Sequence, residues 1–123
     1  MIDTITDARL MGPLGIAVNP NGLTAYVANF GPALVNGGNA VAVIDTTTDT
    51  VTSTISLAPA SGPFDIAFTP DGSRAYVTDL SSNSVSVIDT TTNMVLNTIG
   101  SIPTPAGIAI TPNGRFAYVE NFV

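Results

Sequence analysis

The 123-residue sequence contains no cysteine, no histidine and no lysine. Without cysteine and histidine, disulfides, thiolate nucleophiles, the usual zinc sites and imidazole acid–base catalysis are all excluded. Serine and threonine are abundant, but neither a lysine nor a histidine is present to activate one of them as a hydrolytic nucleophile. The composition therefore predicts no catalytic residue and favours a protein that is not an enzyme.

Positive charge is also scarce, since nine acidic residues face three arginines and the formal net charge is -6. Binding to phosphates requires several clustered cations, so nucleic acid and anionic membranes are excluded as main partners. No apolar run approaches the roughly 18 residues that a membrane helix needs, and no membrane insertion is expected. Cations, neutral carbohydrates and other protein surfaces suit this charge better.

The first residues contain neither a basic nor an apolar region, so no signal peptide is expected within this chain. A leader on a longer parent protein remains open.

An internal repeat occupies almost the whole sequence. Its most complete copy covers residues 63–99 and contains Pro-Phe-Asp-Ile-Ala-Phe-Thr-Pro-Asp-Gly, then Ala-Tyr-Val-Thr-Asp, then Val-Ser-Val-Ile-Asp-Thr. The first half returns at residues 13–29 and 105–121, and the second half returns at residues 41–55. Self-similarity of this length is the signature of a repeat architecture.

Each half of the repeat has the chemistry of two strands joined by a turn. Proline presets φ at the first corner of the turn and glycine supplies a positive φ, while β-branched residues fill the flanking segments. No segment shows helical periodicity with caps, which predicts an all-β fold with essentially no helix. The expected strands lie near residues 14–19, 24–29, 40–45, 50–56, 64–69, 74–79, 84–89, 94–99, 107–111 and 116–121.

The strands are apolar on both faces, so each sheet must be covered on both sides. A four-stranded antiparallel unit of about 40 to 45 residues that is covered by its own neighbours is a β-propeller blade. The expected organisation is the end of a preceding blade at residues 1–12, one blade at 13–57, a second at 58–100, and the first half of a third at 101–123.

The second strand of each unit carries a resemblance to a known family. The segments at residues 26–29, 76–79 and 118–121 read Tyr-Val-Ala-Asn, Tyr-Val-Thr-Asp and Tyr-Val-Glu-Asn, each preceded by Pro-Asn-Gly or Pro-Asp-Gly. They resemble the YVTN-type β-propeller repeat, which belongs with surface-layer-associated and lactonase-like seven-bladed propellers. The resemblance implies that the first strand of each blade lines a central channel. It also implies an extracytoplasmic or cell-surface location.

Two acidic residues depart from the repeat. Asp65 replaces Gly15 and Gly107, and Glu120 replaces Ala28 and Thr78. Both are expected on the loop face, the side of the disc where the loops between second and third strands emerge. With Asn29, Asp79 and Asn121 as neighbours, the hard oxygen ligands suggest a site for a polar ligand or for a divalent cation such as calcium. The alternative is a solvated charge at a strand end.

An apolar rim is a further candidate on the loop face. Phe30, Leu34 and Val35 lie in the insertion that makes the first unit longer than the second, and could form an interaction loop. The alternative for Phe30 is packing between blades.

Two functions remain open from the sequence. The first is a non-catalytic propeller module for binding or assembly, without a cofactor. The second is a fragment of a lactonase-like or other metal-assisted propeller enzyme. Because an arc of blades leaves apolar faces uncovered, the expected partner is a second copy, with two chains completing a closed ring.

Overall fold

The computed structural model describes residues 2–31 and 38–122, which contain ten β-strands and a single turn of 3-10 helix. The strands are β1 (Pro13–Val18), β2 (Thr24–Asn29), β3 (Ala40–Asp45), β4 (Thr50–Ser56), β5 (Pro63–Phe68), β6 (Arg74–Asp79), β7 (Ser84–Asp89), β8 (Met94–Ile99), β9 (Pro105–Ile110) and β10 (Ala117–Asn121). The all-β expectation is confirmed, and the strand ends differ from the expected ones by no more than two residues. No helix in the described residues is long and apolar enough to cross a membrane.

Two details differ from the sequence-based expectations. A 3-10 helix at Leu80–Ser82 fills the short connection between β6 and β7, which Asn83 closes with a left-handed φ of 54°. Residues 1–12 were expected to be the end of a preceding blade, and the described part of this segment, residues 2–12, contains no strand. A tight turn lies there instead, in which the Leu10 N–H donates to the Asp7 carbonyl at 3.0 Å.

The strands form three antiparallel sheets, in which neighbours in sequence are neighbours in space. The orders are β1-β2-β3-β4, β5-β6-β7-β8 and β9-β10. The turn between the first two strands is the same in all three sheets, because a glycine N–H donates to the carbonyl three residues before it. These bonds are 2.7 Å at Gly22, 2.8 Å at Gly72 and 2.8 Å at Gly114. Each of these glycines has a positive φ near 73°, which a side-chained residue would adopt only with strain.

The sheets stack face to face and diverge outward. The first strands β1, β5 and β9 lie beside one another, whereas β4 and β8 have no comparable contact with a neighbouring sheet. The core between the first two sheets contains Tyr26 and Val41 from one side and Ile66 and Ile88 from the other. The Tyr26 ring packs on Phe68 with 5.0 Å between ring centroids.

Residues 2–12 cover part of the outer surface of the first sheet. Ile5 and Leu10 pack against a second apolar cluster that includes Ile44 and Val51. The Arg9 guanidinium donates to the Val51 carbonyl at 2.6 Å. The segment therefore packs on β2, β3 and β4, and β1 on the same surface stays exposed in the part of the chain that the structure describes.

Candidate functional site

Two of the five candidate site residues lie together. Asp65 on β5 and Glu120 on β10 line a shallow cavity of about 370 Å³ that also contacts Gly107, Ile108 and Tyr118. The cavity lies where the first strand of the second sheet meets the third sheet.

The Asp65 carboxylate is occupied by backbone groups. Its Oδ1 accepts from the Ile66 N–H at 2.9 Å, and its Oδ2 accepts from the Ile108 N–H at 3.1 Å. Beside it, the Thr78 hydroxyl donates to the Ala106 carbonyl at 2.6 Å. Since Ile108 and Ala106 belong to β9, these bonds join the second sheet to the third. Asp65 therefore links two sheets, a role that the glycines at the equivalent positions cannot perform.

Glu120 is exposed, and within residues 2–31 and 38–122 no hydrogen bond to its carboxylate is present. The side chain lies beside Gly107, where an added Cβ would be 3.8 Å from Glu120 Oε2. Gly107 is the equivalent of Asp65 in the third sheet, so the Glu120 side chain lies beside the position at which a carboxylate stands in the second sheet. Its carboxylate remains free to accept a hydrogen bond from an incoming group.

The other three candidates are not brought to this cavity. Asn29, Asp79 and Asn121 end β2, β6 and β10, so each belongs to a different sheet. The Asn29 side-chain amide donates to the Arg9 carbonyl at 2.7 Å, and the Asn121 amide donates to the Pro103 carbonyl. These two asparagines therefore hold the segment that leads into the first strand of their own sheet.

Asp79 takes the same position but has a different environment. It is 1% exposed, its Oδ2 accepts from the Ser86 hydroxyl at 2.6 Å, and the Ser84 hydroxyl lies 3.4 Å away. Among the described residues, no hydrogen-bond partner reaches its Oδ1. Burial raises the pKa of Asp79 to about 6 from its ordinary value of 3.8, against the lowering effect of the two serines.

The serines around Asp79 were not expected from the sequence. Asp79 pairs with Ser84, and Val77 pairs with Ser86; in the first sheet the corresponding partners are Ala40 and Ala42. A signal for them was present, because two alanines become serines in the same copy in which asparagine becomes aspartate. Comparing the copies position by position would have predicted a buried carboxylate with hydroxyl donors.

The described residues contain no group of three or more acidic side chains that could hold a metal ion. Asp65 and Glu120 are the two candidate carboxylates that share a cavity, and Asp65 already accepts two backbone N–H groups. The divalent cation suggested by the sequence remains a prediction.

The apolar rim is described only in part. Phe30 is half-buried, and its N–H donates to the Gly12 carbonyl at 3.0 Å. Phe122, at the equivalent position of the third sheet, packs edge-on against Phe64 with 6.4 Å between ring centroids. Leu34 and Val35 lie outside the described residues.

We expect Asp65→Asn to lower the free energy of unfolding by about 1.5 kcal/mol, because an amide retains one acceptor oxygen where two N–H groups need one each. Urea unfolding followed by circular dichroism would measure the loss. Asp71→Asn is the matched control, since asparagine already stands at the equivalent turn positions 21 and 113, and it should change stability little. An equal loss in both variants would contradict the link between sheets.

Four-stranded antiparallel sheets that stack face to face with their first strands innermost define a β-propeller, of which this chain forms a part. A family model described as lactonase, 7-bladed beta-propeller matches residues 39–122. The chain belongs to this family.

Individual relatives extend well beyond the region that they share with this chain. The PE-PGRS family protein PE_PGRS18 of Mycobacterium tuberculosis (strain ATCC 25618 / H37Rv) is 43% identical over 67 residues, which are 54% of this chain and 13% of that protein. The hydrazine synthase of Kuenenia stuttgartiensis superposes with a TM-score of 0.79 and 33% identity over 94% of this chain and 31% of its own.

Two bacterial structures share the fold at lower identity. A candidate 6-phosphogluconolactonase from Bacteroides uniformis ATCC 8492 has a TM-score of 0.76 and 18% identity, over 90% of this chain and 34% of its own. A second, from Bacteroides fragilis NCTC 9343, has a TM-score of 0.73 and 24% identity, over 91% and 32%. The chain thus spans about a third of each similar structure.

Proposed function

We propose that the protein is a non-catalytic β-propeller repeat module that serves in binding or assembly. The observation that carries this proposal is the use of Asp65: both of its carboxylate oxygens accept backbone N–H groups, one in β5 and one in β9. The acid at the centre of the candidate site thus stabilises the stacking of sheets. A carboxylate engaged in this way is poorly placed to bind a substrate or to transfer a proton.

The partner that we propose is a further copy of the chain, which would complete a closed ring. Exposed apolar residues on the first and third sheets support this part of the proposal, because such surfaces are buried elsewhere in the stack. A protein or carbohydrate ligand on the loop face fits the net charge of -6.

We also propose an extracytoplasmic or cell-surface location, for which the YVTN-type resemblance of the three Tyr-Val segments is the support. Protease treatment of intact source cells tests it. The protein should be degraded from outside, whereas protection until lysis would contradict this location.

A second candidate function is a lactonase-like or metal-assisted activity. Membership of the lactonase family and the shared cavity of Asp65 and Glu120 favour it. The two similar structures described as candidate 6-phosphogluconolactonases share only the fold at their level of identity.

One pair of measurements distinguishes the two functions. We expect no saturable heat of binding when calcium is titrated into the protein, and no hydrolysis of 6-phosphogluconolactone above the buffer rate. Glu120→Ala, which copies Ala28 of the first sheet, is the comparison variant. Hydrolysis together with calcium binding, both lost in Glu120→Ala, would establish the second function and contradict the first.

A further inference from the structure

Two surfaces at opposite ends of the stack expose large apolar side chains. The head face consists of Leu14, Ile16 and Val18 on β1, which are 52%, 63% and 57% exposed. The tail face consists of Phe116, just before β10, with Tyr118 and Glu120 on β10; Phe116 and Tyr118 are 59% and 67% exposed. Exposed apolar surfaces of this kind mark interaction sites.

The two faces correspond to the two halves of an interface that the molecule already contains. In β5 the positions of Ile16 and Val18 are held by Ile66 and Phe68, which pack against the first sheet. At this interface the ring of Phe68 packs on the ring of Tyr26, with 5.0 Å between ring centroids. Tyr118 is the equivalent of Tyr26 in the third sheet. The tail face therefore presents to β1 of another copy the same kind of surface that the first sheet presents to β5.

The part of the first sheet that stays exposed also corresponds to the strands that form the tail face. Residues 2–12 cover β2, β3 and β4 through Ile5 and Leu10, and β1 remains exposed. The tail face is formed by β9 and β10, which hold the inner positions of their sheet. These two strands would therefore occupy the uncovered strip without displacing residues 2–12.

A polar match accompanies the apolar one. The N–H groups of Ile66 and Ile108 each donate to an oxygen of Asp65. Ile16 holds the same position in β1, and within residues 2–31 and 38–122 no side chain accepts from its N–H. The free carboxylate of Glu120 lies next to Gly107, the equivalent of Asp65 in the third sheet. Glu120 is placed to provide the acceptor that Gly107 lacks.

We propose that the tail face of one copy docks on the head face of a second copy, with Tyr118 packing on Ile16 and Val18 and the Glu120 carboxylate accepting the Ile16 N–H. This inference rests on the assembly part of the proposed function. The contact is heterologous, so it closes into a ring if the rotation per chain fits and otherwise forms an open polymer.

Complementary variants test the docking directly. Ile16→Asp blocks the head face and Tyr118→Asp blocks the tail face, and both residues are exposed enough to be replaced without loss of the fold. By light scattering, each variant alone should have the monomer mass of 12.5 kDa, and an equal mixture should have twice that mass. The mixture dimerises because it pairs one intact tail with one intact head. Leu96→Asp, an exposed change on β8 outside both faces, should assemble like the unmodified protein.

A monomeric unmodified protein would overturn both this inference and the assembly part of the proposed function. If the unmodified protein assembles but the mixture stays monomeric, the assembly stands and the head-to-tail contact is wrong.

The role of Glu120 in the contact is tested by the affinity of the mixed dimer. Adding Glu120→Ala to the Ile16→Asp chain should weaken the mixed dimer about tenfold, and an unchanged affinity would remove Glu120 from the contact.

Discussion

Asp79→Asn is expected to stabilise the folded protein by about 2 kcal/mol at pH 8 and to change its stability little at pH 4. The reason is that Asp79 is 1% exposed and that one of its carboxylate oxygens has no hydrogen-bond partner in the part of the chain that the structure describes. An asparagine retains an acceptor for the Ser86 hydroxyl and carries no charge. Asparagine is also the residue at the equivalent positions 29 and 121.

The direction of the pH dependence follows from the pKa of Asp79, which burial raises from 3.8 to about 6 in the folded state. Between these values the folded protein binds more protons than the unfolded chain, so stability falls as the pH rises. The contribution of protonated Asp79 is fully present below pH 4 and is lost as the pH passes through about 6. A shift of about two pH units corresponds to roughly 3 kcal/mol, part of which the unpaired amide of asparagine would offset.

Denaturant unfolding at a series of pH values would measure this effect. The unmodified protein should lose stability between pH 4 and pH 7, and Asp79→Asn should not. Hydrogen bonds hold the pKa values of Asp7 and Asp71 at about 2, so these carboxyls titrate below the window. Asp3→Asn removes the same charge from an exposed site and is the matched control. A similar gain in Asp3→Asn would assign the effect to net charge, and no gain at pH 8 would contradict a buried ionised Asp79.

The strands and the stacking of sheets could be predicted from the sequence because they depend on periodic, local features. Proline and glycine set the turns, and strands that are apolar on both faces require sheets on both sides. The conformation of residues 2–12 was harder to predict, because a segment that resembles the end of a blade becomes a strand only where a neighbouring strand pairs with it. In the structure it packs through Ile5 and Leu10 without forming a ladder.

The candidate site was predictable only in part, for a physical reason. Asp65 and Glu120 stand out because they replace small residues of the repeat, and the structure places both at one cavity. The partners of Asp65 are backbone N–H groups, and every residue except proline carries one. A sequence therefore cannot show that the N–H of Ile108, 43 residues away, meets its carboxylate. The partners of Asp79, in contrast, are the side-chain hydroxyls of Ser84 and Ser86, and the replacement of alanine by serine at these positions is visible in the sequence.

The stacking of the first two sheets depends on a close approach at Gly15. A Cβ added there would lie 2.6 Å from the Phe64 carbonyl oxygen and 2.7 Å from Asp65 Cα. Both are backbone atoms of β5, which a side-chain rotation cannot move. The glycine is therefore required by the distance between the two sheets.

Gly15→Ala is accordingly expected to lower the free energy of unfolding by about 3 kcal/mol, because the sheets must separate and weaken the packing of Tyr26 on Phe68. Thermal unfolding should show a fall in Tm of about 10 °C. Gly107→Ala is the matched control at the equivalent position, where the nearest atoms to an added Cβ belong to the Glu120 side chain at 3.8 Å. Alanine should be tolerated there, and the lower flexibility of its unfolded chain favours folding. If both variants lost the same stability, the cause would be the backbone freedom of glycine in a first strand, and the close approach at Gly15 would not explain it.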